Sequence, residues 1–254
     1  MSVTIKSARE IELMREAGRI LAKTHEELAK ALKPGMTTWD IDHLGEEIIR
    51  SYGCLPSFKN YNGYPASICV SVNDEVVHGI PSKKHFIEEG DIVSLDAGVI
   101  YKGYHSDAAR TYGIGEISPE AGRLIEVTKQ SFFEGIKFAK AGNHLNDISS
   151  AIQTYAESFG YGVVRDLVGH GIGSHLHEDP EVPNFAGRRR GLKLRPGMTL
   201  AIEPMINEGT PEVVWLDDDW TVVTEDGALS AHYENTVLIT EGEPELLSLV
   251  SEAH

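Results

Sequence analysis

The sequence predicts an α+β fold made of two similar halves that meet through one sheet. Three observations predict it. The order helix, helix, strands occurs twice along the 254 residues. An offset of 107 residues lays one occurrence on the other. Acidic residues inside apolar, strand-like runs fall at equivalent places in both, which suggests a site on the axis between the halves.

Taken in order, the segment SAREIELMREAGRILAKTHEELAKALKPG reads as a helix. Ser7 and Glu10 make a capping box, Ile11, Leu13, Ala17, Ile20, Leu21, Leu28 and Leu32 supply the apolar face, and Lys33-Pro34-Gly35 stops it. A second helix is capped near Thr37 or Thr38 and ends at Gly53. From Ser67 to Gly113 the β-branched runs SICVSV, DIVSLDAGVI and YHSDAARTYGI, broken by turn residues, predict strands. Helices return from Ser118-Pro119, a helix-start pair, through Lys140, and from Asn146 through Phe159. Strand-like runs dominate from Leu167 to Leu247.

The offset matches Lys33 with Lys140, Gly35 with Gly142, Asp40 with Asp147, Ile41 with Ile148, Ser51 with Ser158 and Gly53 with Gly160. It also carries GDIVSLD, Gly90 to Asp96, onto GMTLAIE, Gly197 to Glu203. With small indels His78-Gly79-Ile80 pairs with His170-Gly171-Ile172, and His105-Ser106-Asp107 with His232-Tyr233-Glu234. Each half therefore offers one His, one strand carboxylate and one H-x-[DE] carboxylate. No Pro/Gly/Ser-rich linker separates the halves, so residues 1–254 are expected to form a single domain, with repeats at about 7–115 and 116–247.

Composition narrows the function classes. With 41% hydrophobic and 24% charged residues the chain is that of an ordinary globular protein. A formal net charge of −16 repels a phosphate backbone, so nucleic acid is not expected as a direct partner. The start MSVTIKSARE has no basic region followed by an apolar core, and no stretch nears the roughly 20 apolar residues of a membrane span. A cytoplasmic location is expected, with no membrane partner. Cys54 and Cys69 have no metal-finger spacing and are expected as reduced thiols.

Asp96 and Asp107 stand eleven residues apart across a predicted hairpin turning within Tyr101-Lys102-Gly103-Tyr104. If the turn centres on Tyr101-Lys102, they are direct cross-strand partners with Cβ atoms about 4.5–5.5 Å apart. They could be two solvated aspartates. Asp96, however, is flanked by apolar residues on both sides, and buried acids must pair or bind metal. Glu203 in LAIEPMI could pair with a core arginine or join the same group. Glu234 in HYENTVLIT repeats the pattern, and His170 projects from a glycine-flanked turn. Four carboxylates and an imidazole suit two divalent ions sharing bridging carboxylates. Such a pair, about 3.5–4 Å apart, makes hydroxide available at neutral pH for hydrolysis. GHGIG does not continue into a dinucleotide fingerprint, and neither G-x-S-x-G nor H-E-x-x-H occurs. On spacing alone, His177 is either a substrate contact or a solvated loop residue.

Six blocks, VNDEVVHGIP, GDIVSLDAGV, HSDAARTY, GHGIGSHLHEDP, LKLRPGMTLAIEPM and SAHYENT, resemble in order and spacing the type I methionine aminopeptidases of peptidase family M24, in their short bacterial form. The resemblance spans essentially the whole chain. It implies the pita-bread fold, with a pseudo-two-fold repeat and a central curved antiparallel sheet flanked by helices. It implies Asp96, Asp107, His170, Glu203 and Glu234 as metal ligands, Asp107 and Glu234 bridging two divalent ions (Co²⁺, Mn²⁺, Fe²⁺ or Zn²⁺). By the same resemblance His78, which symmetry would have made a ligand, is expected instead to contact the scissile amide. His177 is expected to help polarise the carbonyl, Glu203 to shuttle the proton of the metal-bridging water, and Phe58, Tyr61, Tyr64, Cys69, Leu176 and Trp220 to line the methionine pocket. Phe58, Leu176 and Asn235 depart from the best-known enterobacterial member, which has Cys, Phe and His there. The implied substrates are nascent polypeptides with an N-terminal Met before a small residue. Met1-Ser2 would itself suit such an enzyme, so self-processing is expected.

Other readings stay open at this point. An X-Pro aminopeptidase or prolidase could use the same five ligands, though those relatives usually carry a further N-terminal domain. A non-catalytic binding module or a purely structural repeat would use the fold without the chemistry. Arg188-Arg189-Arg190 with Lys193 and Arg195 form a basic cluster, read either as a solvated loop or as a ribosome contact near the exit tunnel. A monomer is expected.

Overall fold

The computed structural model of the chain describes residues 3–249; Met1 and Ser2, on which self-processing is expected, and the last residues of LSLVSEAH lie outside them. The helices α1 (Ala8–Ala31) and α2 (Thr38–Ser51) are followed by β1 (Leu55–Pro56), β2 (Ile68–Val72), β3 (Glu75–Val77), β4 (Ile92–Tyr101) and β5 (Tyr104–Gly113). The second half starts with α3 (Pro119–Ile136) and α4 (Leu145–Glu157). After them come β6 (Gly162–Val163), β7 (Gly169–Gly171), β8 (Glu178–Val182), β9 (Thr199–Ile202) and β10 (Met205–Asn207). The chain then runs through β11 (Val213–Trp215), β12 (Val222–Thr224), β13 (Ser230–His232), β14 (Asn235–Leu238) and β15 (Glu245–Leu246).

The helix starts follow from local chemistry. Ser7 and Glu10 form the reciprocal capping box of α1, Thr37 and Asp40 that of α2, and Ser118 with Pro119 opens α3. Two helix ends come earlier than the sequence suggests. The N–H groups of Phe138 and Ala139 turn back to the carbonyls of Gly135 and Ile136, so α3 closes in a tightened turn short of Lys140. Helix α4 stops at Glu157 ahead of Gly160, whose φ of 84° no helix interior accepts.

The repeat extends to single backbone bonds. Gly35 N–H donates to Ile87 O at 2.8 Å, and its counterpart Gly142 donates to Leu194 O at 3.0 Å. Ile87 N–H reaches Met36 O at 2.9 Å, and Leu194 N–H reaches Asn143 O at 2.8 Å. The bridges Thr37 to Phe86 and His144 to Lys193 are matched in the same way. In each half the helix pair covers a sheet: Leu21, Leu28, Ile41 and Ile49 cluster with Val70, Leu95 and Val99, and Phe132, Ile148 and Ile152 with Leu200, Ile202 and Val237. Burying such side chains contributes about 1.5–3 kcal/mol each.

The two halves join along β5 and the β13–β14 segment. Asp107 N–H donates to Thr236 Oγ1 (2.8 Å), the Thr236 hydroxyl donates back to Asp107 O (2.9 Å), and Glu234 N–H donates to Ala109 O (3.0 Å). These two stretches are the ones that the repeat makes equivalent. Their acids therefore meet at the seam.

Candidate metal centre

Strand β4 pairs with β5 in a register that sets Asp96 opposite Ala109 and Asp107 opposite Gly98. The turn centres on Lys102-Gly103, not on Tyr101-Lys102, because both central residues take positive φ (48° and 85°), as a two-residue hairpin requires. Asp96 and Asp107 are thus diagonal neighbours on one face instead of direct partners. Carboxylates at that spacing still reach a shared point.

His170 lies in β7, paired with Ala201 of β9; Glu203 directly follows β9; Glu234 sits between β13 and β14. His170 Nδ1 lies 2.8 Å from Gly171 O, which fixes the proton on Nδ1 and leaves the Nε2 lone pair facing the acids. Nε2 is 3.6 Å from Glu203 Oε1 and 4.0 Å from Asp107 Oδ2. Ligand atoms of Asp107, His170 and Glu234, all buried, lie within 4.8 Å of one another. Asp96 Oδ1, Asp107 Oδ1 and Glu234 Oε1 are sealed from solvent without any hydrogen-bond partner.

Burial, the largest cause, pushes the Asp96 carboxyl up to about 7. Burial also drives Asp107, Glu203 and Glu234 well above the carboxylate range, with repulsion among the acids adding to it. Burial lowers His170 to about 3, so its ring is neutral. Converging orphaned oxygens and a neutral, oriented imidazole are what a divalent cation requires, and the donor set fits one.

The acids form the floor of a cavity of about 210 Å³. Phe58, Tyr61, Tyr64, Cys69, Leu176 and Trp220 line its walls together with His78 and His177. The five ligand candidates, the two substrate histidines and the six pocket residues expected from the sequence thus face one space. Val77, Leu167, Val168 and Met205, which the sequence reading missed, line it too. Cys54 and Cys69 are free thiols.

His78 follows β3 with a left-handed φ of 61°, a conformation that costs about 1–3 kcal/mol in a non-glycine residue and turns the ring into the cavity. Tyr64 Oη–H holds the next carbonyl, that of Gly79, at 2.9 Å, and Gly79 N–H is anchored on Ser71 Oγ at 3.1 Å. Burial first and His177 second lower the His78 ring to about 4. His177 stands at the exposed mouth, Nδ1 2.7 Å from Tyr61 Oη, its ring 4.1 Å from that of His170. Trp220 meets Tyr64 edge-on at 5.1 Å.

His232 was also missed as a site residue. It is buried behind Glu203, Nε2 3.8 Å from Oε2, with neither ring nitrogen hydrogen-bonded. Its pairing with His105 in the repeat was the signal that could have found it. The basic residues Arg188, Arg189, Arg190, Lys193 and Arg195 are exposed and line none of this cavity.

Comparison with known proteins agrees with this geometry. The profile of metallopeptidase family M24 matches residues 12–241. A methionine aminopeptidase of Clostridium acetobutylicum is 60% identical over 247 residues, covering 97% of this chain and 99% of the relative. Methionine aminopeptidase 1 of Bacillus subtilis is 50% identical over 248 residues, 98% of this chain and 100% of its own. The crystal structure of methionine aminopeptidase from Thermotoga maritima superimposes with a TM-score of 0.96 at 47% identity, covering 98% of this chain and 100% of that one. This chain, whose buried acids and histidine converge where two repeats meet, belongs to metallopeptidase family M24.

Proposed function

We propose that the chain is a metal-dependent aminopeptidase that removes the N-terminal methionine of newly made proteins and peptides, preferring a small second residue. The observation that carries this reading is a cavity walled by Phe58, Tyr64, Cys69, Leu176 and Trp220 whose floor is the acid cluster. Relatives at 50–60% identity bearing the same activity in their names support it over an X-Pro specificity.

Asp96, Asp107, His170, Glu203 and Glu234 would hold two divalent cations; Fe²⁺, Mn²⁺, Co²⁺ and Zn²⁺ all suit the donors. Bound there, the cations supply water activation at neutral pH and Lewis-acid stabilisation of oxyanion charge. With the Tyr61 hydroxyl as donor to His177 Nδ1, 2.7 Å away, the proton of the ring would sit on Nε2 and face the carbonyl oxygen of the substrate. That donor strengthens as negative charge develops on the oxygen. Glu203 takes the proton of the attacking water and passes it to the leaving amine, while His78 contacts the scissile amide. Phe58, Tyr64, Cys69, Leu176 and Trp220 enclose the thioether side chain, which contributes about 1.5–3 kcal/mol.

The whole chain acts as one catalytic domain and as a monomer. Among the described residues no helix is long and apolar enough to cross a membrane. Newly made proteins as substrates would put the enzyme in the cytoplasm. The basic loop at Arg188–Arg190 would contact the ribosome; unchanged co-sedimentation after its neutralisation would remove that part. The enzymatic reading is tested by incubating metal-stripped and Mn²⁺- or Co²⁺-reloaded protein with Met-Ala-Ser. Free methionine is expected only with metal, and its absence despite metal binding would overturn the assignment.

A further inference from the structure

One buried ion pair takes no part in that chemistry. Lys6 Nζ lies 2.6 Å from Glu178 Oε2, and the two side chains are 5% and 9% exposed. Thr4 Oγ1 donates to the same oxygen at 2.6 Å, and Lys6 Nζ donates to Thr4 Oγ1. The other oxygen, Glu178 Oε1, accepts His175 N–H at 3.2 Å. Burial works to raise the Glu178 carboxyl, yet Lys6 and Thr4 outweigh it and hold it below the usual range. Sealing two opposite charges from water is repaid only by such fully bonded geometry, and removing one partner strands the other.

The pair braces the stretch from Gly173 to Glu178, the loop that carries Leu176 and His177 to the cavity. Contact is close enough that a Cβ on Gly173 would lie 2.5 Å from both Lys6 Cε and Glu178 Oε1. Behind it, Lys6 N–H donates to Gly197 O at 2.8 Å, in the turn that leads into β9 and Glu203. In front, His105 N–H donates to Gly173 O at 2.8 Å, tying the same loop to β5. The N-terminal segment therefore passes under the His177 loop and bolts it to the strand ends that carry the acids.

We infer that Lys6, through Glu178, is a positioning residue that sets the reach of His177 Nε2 toward the substrate carbonyl. Without Lys6, the Glu178 carboxylate must move out to water and takes the neighbouring His177 with it. A displacement near 1 Å at a reacting group costs up to about 10²-fold in rate. The inference rests on the proposed role of His177.

The test compares K6M, K6R and the isosteric E178Q in Mn²⁺-loaded protein on Met-Ala-Ser, each in the wild-type and the H177A background. K6M and E178Q are expected to lower kcat about tenfold or more with KM changed less than about threefold, and K6R to recover most of the loss. In the H177A background the same changes should cost less than about twofold. Equal losses in both backgrounds would assign the pair to general stability and overturn the inference. Imidazole NMR of Zn²⁺-loaded protein gives a readout that does not depend on turnover. The His177 ring signals, set by the Tyr61 hydrogen bond, should shift in K6M or, if K6M does not fold, in E178Q. Unshifted signals would overturn the inference even if no methionine is released, whereas shifted signals without turnover in the wild type would fault the proposed function alone.

Discussion

The two halves of the chain share a scaffold down to matched turns and bridges, but they equip the common cavity differently. The second half contributes His170 from the short strand β7, ring proton tied to its own neighbour's carbonyl and Nε2 facing the acids. The first half offers His78 at the corresponding place in the sequence. There the backbone is left-handed, and the ring, clear of the Asp107, His170 and Glu234 group, turns toward Trp220 at 6.4 Å. One extended and one left-handed residue thus convert a symmetric pair into two different tools. Insertions complete the asymmetry. The first half adds the loop with Phe58, Tyr61 and Tyr64, and the second adds the β11–β12 hairpin, whose turn carries Trp220.

The largest effect is expected at the element that both halves share. D107A, at the seam, should lower kcat/KM about 10³-fold or more, which is about 4 kcal/mol, and abolish tight Mn²⁺ binding in calorimetry. Retained activity would break the idea of one centre built from two halves. Next come the histidines facing substrate: H78A and H177A should each lower kcat about 10²-fold while metal stoichiometry stays that of the wild type. Loss of metal in either variant would return that histidine to the ligand set. W220A, which removes the hairpin's contribution, should raise KM for Met-Ala-Ser roughly 10- to 100-fold with a smaller change in kcat. An unchanged KM would move the pocket elsewhere.

The smallest effect concerns a site where the repeat has Glu in one half and Gln in the other. Glu46 bonds Lys59, Arg50 and Ser67, and these partners, Lys59 foremost, lower its carboxyl from the usual 4.5 to about 2. Its counterpart Gln153 bonds Ala186 N–H and Glu157 without charge. A depressed carboxyl contributes stability that is complete above pH 4.5 and is lost as the pH falls through about 2. The pair is partly exposed, so E46Q should remove under about 1 kcal/mol of that acid-dependent loss and leave neutral-pH activity intact. An identical acid-unfolding profile for E46Q would show that solvent screens the site completely.

Much of this was legible in the sequence because repeats and capping are local. Ser7, Thr37 and Ser118 open their helices as read, and the 107-residue offset finds every matched backbone bond. The carboxylates stood out because an acid inside an apolar strand is costly. The hairpin register was not legible, since it turns on Lys102 accepting a positive φ, for which no side-chain pattern is required. The pocket was legible only through family resemblance, because Phe58, Cys69, Leu176 and Trp220 converge from four separate segments. His232 and Lys6 escaped because what singles them out is burial: one is sealed behind Glu203 without a hydrogen-bond partner, the other against Glu178.

On the proposed function, one repeat's histidine would serve the metal and the other's the substrate. Isothermal titration of Mn²⁺ into metal-stripped wild type, H170A and H78A tests it most directly. H170A is expected to lose about 10- to 100-fold or more in affinity, and H78A to bind as the wild type does. Equal losses in the two variants, or unimpaired binding by H170A, would contradict it.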